Sequence, residues 1–291
     1  MKIIEVETKR GTVLCGCLYG ENFKDTCVII TNGNCGNIFE NKFLQVVGEE
    51  LERNKISFVY AHNSGAFHRL DTPTKDGKPI GNTYDLFDDC LEDLQAYVDW
   101  AKGNGFKHII LGGYSYGTNK VVYFLSKNPK EKIDKYILIS PTDTGRFKEH
   151  ERLSAEKLMP IALKFKKEGR IDDILPEMFD DYNYYTARAF LDFVENKNSR
   201  NLPIYDKCVG GSFKQLRSIK QMGLFVMGEK DGFAFGDAQK HLQTIKDNTK
   251  NRQGVVRVIK NSGHTFKGQE LALAKTILEF VKEIEWKNIV N

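Results

Sequence analysis

Hydrophobic and polar residues along this chain alternate between two patterns. Short apolar runs occur at 26–31, 56–60, 108–112, 135–141, 223–228 and 255–259. They lack the period-two alternation of a half-exposed strand, so they predict strands buried on both faces. Helical spacing fills the gaps. Phe43, Val46, Val47 and Leu51 form one apolar stripe, and Leu271, Ala274, Ile277, Leu278 and Val281 form another over 271–284. The stretch Tyr84 to Gly103 predicts a long helix, with Leu86, Phe87, Cys90, Leu91, Leu94 and Val98 on one face. Its acids (Asp85, Asp88, Asp89, Glu92 and Asp93) crowd the N-terminal half, where they complement the helix dipole. Gly103 and Gly105 stop it. Further helices are expected from the glycine at 117 to about Leu125 and around 238–245. The first 20 residues read as a β-hairpin that turns at Lys9-Arg10-Gly11.

Buried strands alternating with helices predict a mostly parallel, twisted sheet covered on both faces. Residues 142–217 break this rhythm, with helical patterns and no convincing strand. The expected organisation is therefore a core formed by 1–141 and 218–291, interrupted by a helical lid or cap at 142–217.

Composition narrows the classes. Of 291 residues, 41% are hydrophobic and 11% aromatic, which supports a large core and excludes a disordered or fibrous chain. The 43 basic and 39 acidic residues leave a mild +4. The loose cluster Lys164, Lys166, Lys167 and Arg170 reads as a solvated helix face, so no nucleic-acid partner is expected. None of the six cysteines forms a C-x-x-C pair. Cys15 and Cys17 point to one side of a strand and read as buried structural thiols, without the other ligands that a metal site needs. A reduced, cytoplasmic protein is the expectation. The N-terminus is too polar for a signal peptide, and no window approaches the apolar length of a membrane span.

Chemistry concentrates at Gly113-Tyr114-Ser115-Tyr116-Gly117. A G-x-S-x-G between a buried strand and a helix is a sharp turn that strains the central residue and leaves no room for Cβ atoms two positions away. Serine needs a base. His264, in a turn after the last strand and before the last helix, lies at the same sheet edge as Ser115. His108 starts its strand at the opposite edge, and His241 falls within a helix pattern and reads as a surface residue. His62 and His68 follow a core strand at the correct edge, which makes His62 a candidate substrate contact. A carboxylate must orient the base. Asp231, followed by Gly232 just past a strand, is preferred over Glu229.

The order Ser115, Asp231, His264 resembles the α/β-hydrolase superfamily, and the likeness covers nearly the whole chain. It is closer to the lidded feruloyl/cinnamoyl-esterase-like branches and to uncharacterised carboxylesterase branches. This resemblance implies an α/β-hydrolase fold and an oxyanion hole made of two backbone N–H groups. One would be that of Tyr116, after the nucleophile, and the other that of Asn34, in the loop after the third strand. The superfamily often has His-Gly there, whereas this chain has Asn32-Gly33; Asn32 is expected to order the loop by hydrogen bonding.

In the insertion, Tyr184 and Tyr185 beside Asp180 and Asp181 are candidate pocket residues for an aromatic or amphipathic acyl group. The expected activity is that of a serine hydrolase of carboxylesterase type. It needs no metal or cofactor and acts on a small-molecule or short peptide-like acyl substrate. The same triad also serves thioesterases, amidases or peptidases, and acyltransferases. A non-catalytic binding protein on this scaffold is the reading from a different class.

Overall fold

The computed structural model describes residues 1–179, 182–205 and 211–289. Cys208 and the pair Asp180 and Asp181 lie outside the described residues. An eight-stranded sheet runs in the order β1-β2-β4-β3-β5-β6-β7-β8. The hairpin strands are β1 (Lys2–Glu7) and β2 (Val13–Tyr19), and β2 also pairs antiparallel with β4 (Ser57–Ala61). From β4 onward every pairing is parallel, through β3 (Thr26–Thr31), β5 (His108–Tyr114), β6 (Lys135–Ile139), β7 (Met222–Gly228) and β8 (Val255–Ile259). The unbroken burial of β3, β4 and β6 matches their lack of alternation.

Helices cover both faces. On one side, α1 (Lys42–Arg53) and α8 (Glu270–Ile289) bury Phe43, Val47, Leu51, Leu273 and Ile277 against Val28, Ile30, Phe58 and Ile110. The opposite face is covered by α2 (Cys90–Gly103), α3 (Gly117–Lys127) and α7 (Ala238–Asp247), through Leu94, Val98, Val121, Val122, Leu242 and Ile245.

Between β6 and β7 lie α4 (Glu149–Lys167), α5 (Ala187–Glu195) and α6 (Lys214–Ser218). The first two share a separate apolar cluster that includes Leu158, Ala162, Phe179, Tyr185 and Phe190. Leu202, Ile204 and Leu216, by contrast, join the main core. Lys164, Lys166, Lys167 and Arg170 are solvent-exposed. Among the described residues no helix is long and apolar enough to cross a membrane.

Three details depart from the expected pattern. The helix expected from Tyr84 begins only at Cys90, after a single 3₁₀ turn at Phe87–Asp89. Leu86 is extended, and Asp85 turns inward to an ion pair with Lys120 at 2.7 Å. The acids of this stretch therefore do more than complement a dipole. Asp93 is fully buried, where it binds the Arg10 guanidinium and accepts the Ser64 N–H at 2.8 Å. Nor is His241 a surface residue. It is buried, with Nε2 3.0 Å from the Pro141 carbonyl and Nδ1 3.0 Å from the Tyr205 hydroxyl.

Candidate active site

Ser115 stands where β5 turns into α3, with φ at +54°. That left-handed conformation disfavours any residue with a Cβ and stores roughly 1–3 kcal/mol. The flanking glycines allow it. A Cβ on Gly113 would lie 2.2 Å from the Gly117 carbonyl oxygen, and one on Gly117 would lie 2.4 Å from that of Asn32. The turn thus brings the loop after β3 against the serine. Gly33 belongs to that contact, because a Cβ there would come within 2.8 Å of the Ser115 Cβ.

His264 follows β8 by five residues and returns to the same sheet edge. Its Nε2 is 3.0 Å from Ser115 Oγ, and its Nδ1 is 2.9 Å from Asp231 Oδ2. Nδ1–H donating to the carboxylate leaves Nε2 free to accept the serine proton. The ring is held between Tyr114 (centroids 5.1 Å apart) and Phe233 (4.8 Å) and remains 24% exposed.

Asp231 is 3% exposed, and its Oδ1 accepts the Phe233 N–H at 3.0 Å. Burial alone would raise this carboxyl group. The bond to His264, the charge of His264, the Phe233 N–H and the Ser140 hydroxyl outweigh burial and hold it below the usual carboxylate range. Glu229, the competing acid, is solvent-exposed and accepts the Asn261 N–H at 2.9 Å, away from His264.

The loop after β3 is held by side-chain amides. Asn32 Nδ2 donates to the Gly33 carbonyl at 2.7 Å, and Asn32 Oδ1 accepts the Asn63 N–H at 2.8 Å. Asn32 therefore orders this loop by hydrogen bonding, the part expected of it. Asn63 Oδ1 in turn accepts from Lys120 Nζ at 3.2 Å, so the loop is tied to Lys120 of α3 and its partner Asp85. Burial alone would lower Lys120, but the Asp85 carboxylate outweighs it and keeps the ammonium charged. Among the described residues, the N–H groups of Asn34 and Tyr116 donate to no protein acceptor.

The other expected contacts divide. Tyr185 is buried, stacks on Phe193 (5.7 Å between centroids, 18° between planes), and shares a small cavity with Asn34 and Tyr116. Tyr184, its neighbour in sequence, is 44% exposed and outside that cavity. His62 is not brought to Ser115. It is buried, its Nε2 accepts the Ile38 N–H at 3.1 Å, and desolvation lowers it to about 4, so it stays neutral and braces the loop that follows β3. Sequence reasoning missed Phe233, Ser140 and the Lys120–Asp85 pair. A lysine at the head of the apolar run 121–125 in α3 was the readable signal.

Together, the sheet order, the serine at the strand-to-helix turn and the acid and histidine on later loops define the α/β-hydrolase fold. Comparison with solved structures agrees. The chain is similar to the ferulic-acid-bound Est1E from Butyrivibrio proteoclasticus (17% identity, TM-score 0.65, covering 96% of this chain and 98% of that one). It is also similar to the α/β hydrolase GrgF from Penicillium sp. sh18 (15%, TM-score 0.68, 97% and 98%) and to the esterase EaEST from Exiguobacterium antarcticum (16%, TM-score 0.63, 96% and 98%). No family model and no curated protein matches the sequence.

Proposed function

We propose that this protein is a serine hydrolase of the carboxylesterase type. The observation that carries the reading is the continuous Asp231–His264–Ser115 chain, with both links at hydrogen-bond distance. Esterases among the structural neighbours support the same class.

In the first half-reaction Ser115 Oγ attacks the acyl carbonyl carbon while its proton passes to His264 Nε2. The Nδ1–H bond to Asp231 stabilises the imidazolium. The carbonyl oxygen becomes an oxyanion that the N–H groups of Asn34 and Tyr116 receive, each donor contributing roughly 3–4 kcal/mol. Collapse breaks the bond to the alcohol oxygen, which takes the proton from His264 and leaves. Water then gives its proton to His264, attacks the acyl-serine, and releases the acid as Ser115 recovers its proton. None of these steps calls for a metal or cofactor.

The insertion at 142–217 acts as the lid in this reading, because its Tyr185 and Phe193 reach the wall beside Tyr116. The acyl substrate is a small molecule or a short peptide-like group. The test is hydrolysis of p-nitrophenyl acetate by the wild type and by Ser115→Ala. An active wild type with an initial acyl-enzyme burst and an inactive variant are expected. A Ser115→Ala protein that turns the ester over at the wild-type rate would refute the assignment.

A further inference from the structure

Beside the two proposed oxyanion donors lies a small cavity walled by Asn34, Asn82, Asp85, Phe87, Tyr116, Tyr185, Asp192 and Phe193. Its volume is about 10 Å³. That is room for one small polar group and no more.

Its polar lining is rich in acceptors, although the Tyr185 hydroxyl on the same wall can also donate. Asn34 Oδ1 and Asp85 Oδ1 are both buried without a hydrogen-bond partner. Both are acceptors. The Asp85 side chain is only 7% exposed, and its other oxygen is committed to Lys120 at 2.7 Å. A third wall residue, Asp192, is already satisfied by the Phe87 N–H at 2.7 Å and Asn196 Nδ2 at 3.0 Å. Leaving two buried acceptors empty costs about 1–3 kcal/mol each. An amine or ammonium group can donate to both and a hydroxyl to one of them, whereas a methyl group in the same place donates to neither.

We propose that this cavity is an acyl-group subsite that selects acyl chains carrying a hydrogen-bond donor, a hydroxyl or an amine, close to the scissile carbonyl. The proposal rests on the hydrolase reading above and specifies its substrate class. Asn34 links the two roles, since its main-chain N–H faces the oxyanion and its side-chain oxygen faces the donor. Asp85 acts at the far wall, held in place by Lys120, which Asn63 connects back to the loop after β3.

The experiment compares isosteric ethyl esters in a pH-stat. Glycolate and glycine esters are measured against propanoate, and 3-hydroxypropanoate and β-alanine esters against butanoate, each corrected for its uncatalysed rate. At least one donor-bearing ester is expected to exceed its alkyl isostere in kcat/KM by about tenfold or more, because a site with buried acceptors rejects the analogue lacking the donor. The hydroxyl and amine arms show which donor the cavity prefers.

In Asn34→Ala, which keeps the main-chain N–H, the ratio should collapse towards one, and Asp85→Asn should reduce it. Wild-type ratios near one for every pair, with the esters still hydrolysed, would overturn the subsite and leave water as the cavity's occupant. A protein that hydrolyses none of the esters and carries no reactive Ser115 would instead overturn the hydrolase reading, and this proposal with it.

Discussion

The turn that carries Ser115 and the helical insertion that faces it are specified in different ways. The turn is fixed by backbone demands. A positive φ at Ser115 and three glycines in van der Waals contact with main chain or with the serine itself leave almost no alternative residues. The insertion is fixed by side-chain packing. Phe147, Phe179, Tyr185, Phe190 and Phe193 meet one another in edge and stacked contacts, in a cluster separate from the main core. A motif whose constraint is steric and local shows in sequence. A pocket whose shape comes from aromatic side chains meeting across a fold does not.

Variants can break or sharpen this contrast, and the largest effects belong to the Ser115–His264–Asp231 chain. Ser115→Ala and His264→Ala should each lower kcat on an activated ester by about 10⁴-fold or more, and Asp231→Asn by about 10⁴-fold through the wrong tautomer. Steady-state kinetics with p-nitrophenyl acetate checks this, and the fold of each variant should survive.

Next come two buried residues on opposite sides of the contrast. Lys120→Met strands Asp85 in the interior and should cost about 3–5 kcal/mol in urea unfolding. Phe179→Ala, in the insertion cluster, should cost a similar ~3–5 kcal/mol of local packing. The two differ in readout. Phe179→Ala should loosen the insertion to hydrogen exchange while Ser115 still reacts, whereas Lys120→Met should disturb the loop that carries Asn34 as well. Equal disturbance of the Asn34 loop by both would erase the distinction between the regions.

A smaller effect follows from pH. His62 and His241 are each lowered by burial to about 4, against about 6.5 for an exposed imidazole. The unfolded chain therefore binds more protons between these values. The stability they contribute is complete above pH 6.5 and is lost as pH falls towards 4, by about 3 kcal/mol for each residue. Urea midpoints measured from pH 7 to pH 4 should show the drop, and His241→Gln should flatten it.

Smallest is the strain at Ser115. Ser115→Gly should raise unfolding stability by about 1 kcal/mol while abolishing activity. A destabilised Ser115→Gly would mean that the positive φ stores no strain.

The sheet, its order of elements and the three residues that meet at its edge were legible because buried strands and sharp turns leave strong local patterns. The choice of Asp231 over Glu229 followed from turn chemistry, and the geometry places only Asp231 against His264. Less legible were contacts between distant parts of the chain. The Lys120–Asp85 pair spans 35 residues, and residues 84–86 lie outside the helix that apolar spacing predicted. His241 looked exposed because helix periodicity alone could not show that Tyr205 and Pro141 enclose it. Tyr184 and Tyr185 were indistinguishable in sequence, yet one points to solvent and the other to the cavity beside Tyr116.

The most direct measurement is intact-protein and peptide mass spectrometry after treatment with a fluorophosphonate. The account predicts a single adduct on Ser115 in the wild type, no adduct in Ser115→Ala, and strongly slowed labelling in His264→Ala. An adduct on another residue, or undiminished labelling of Ser115→Ala, would contradict it.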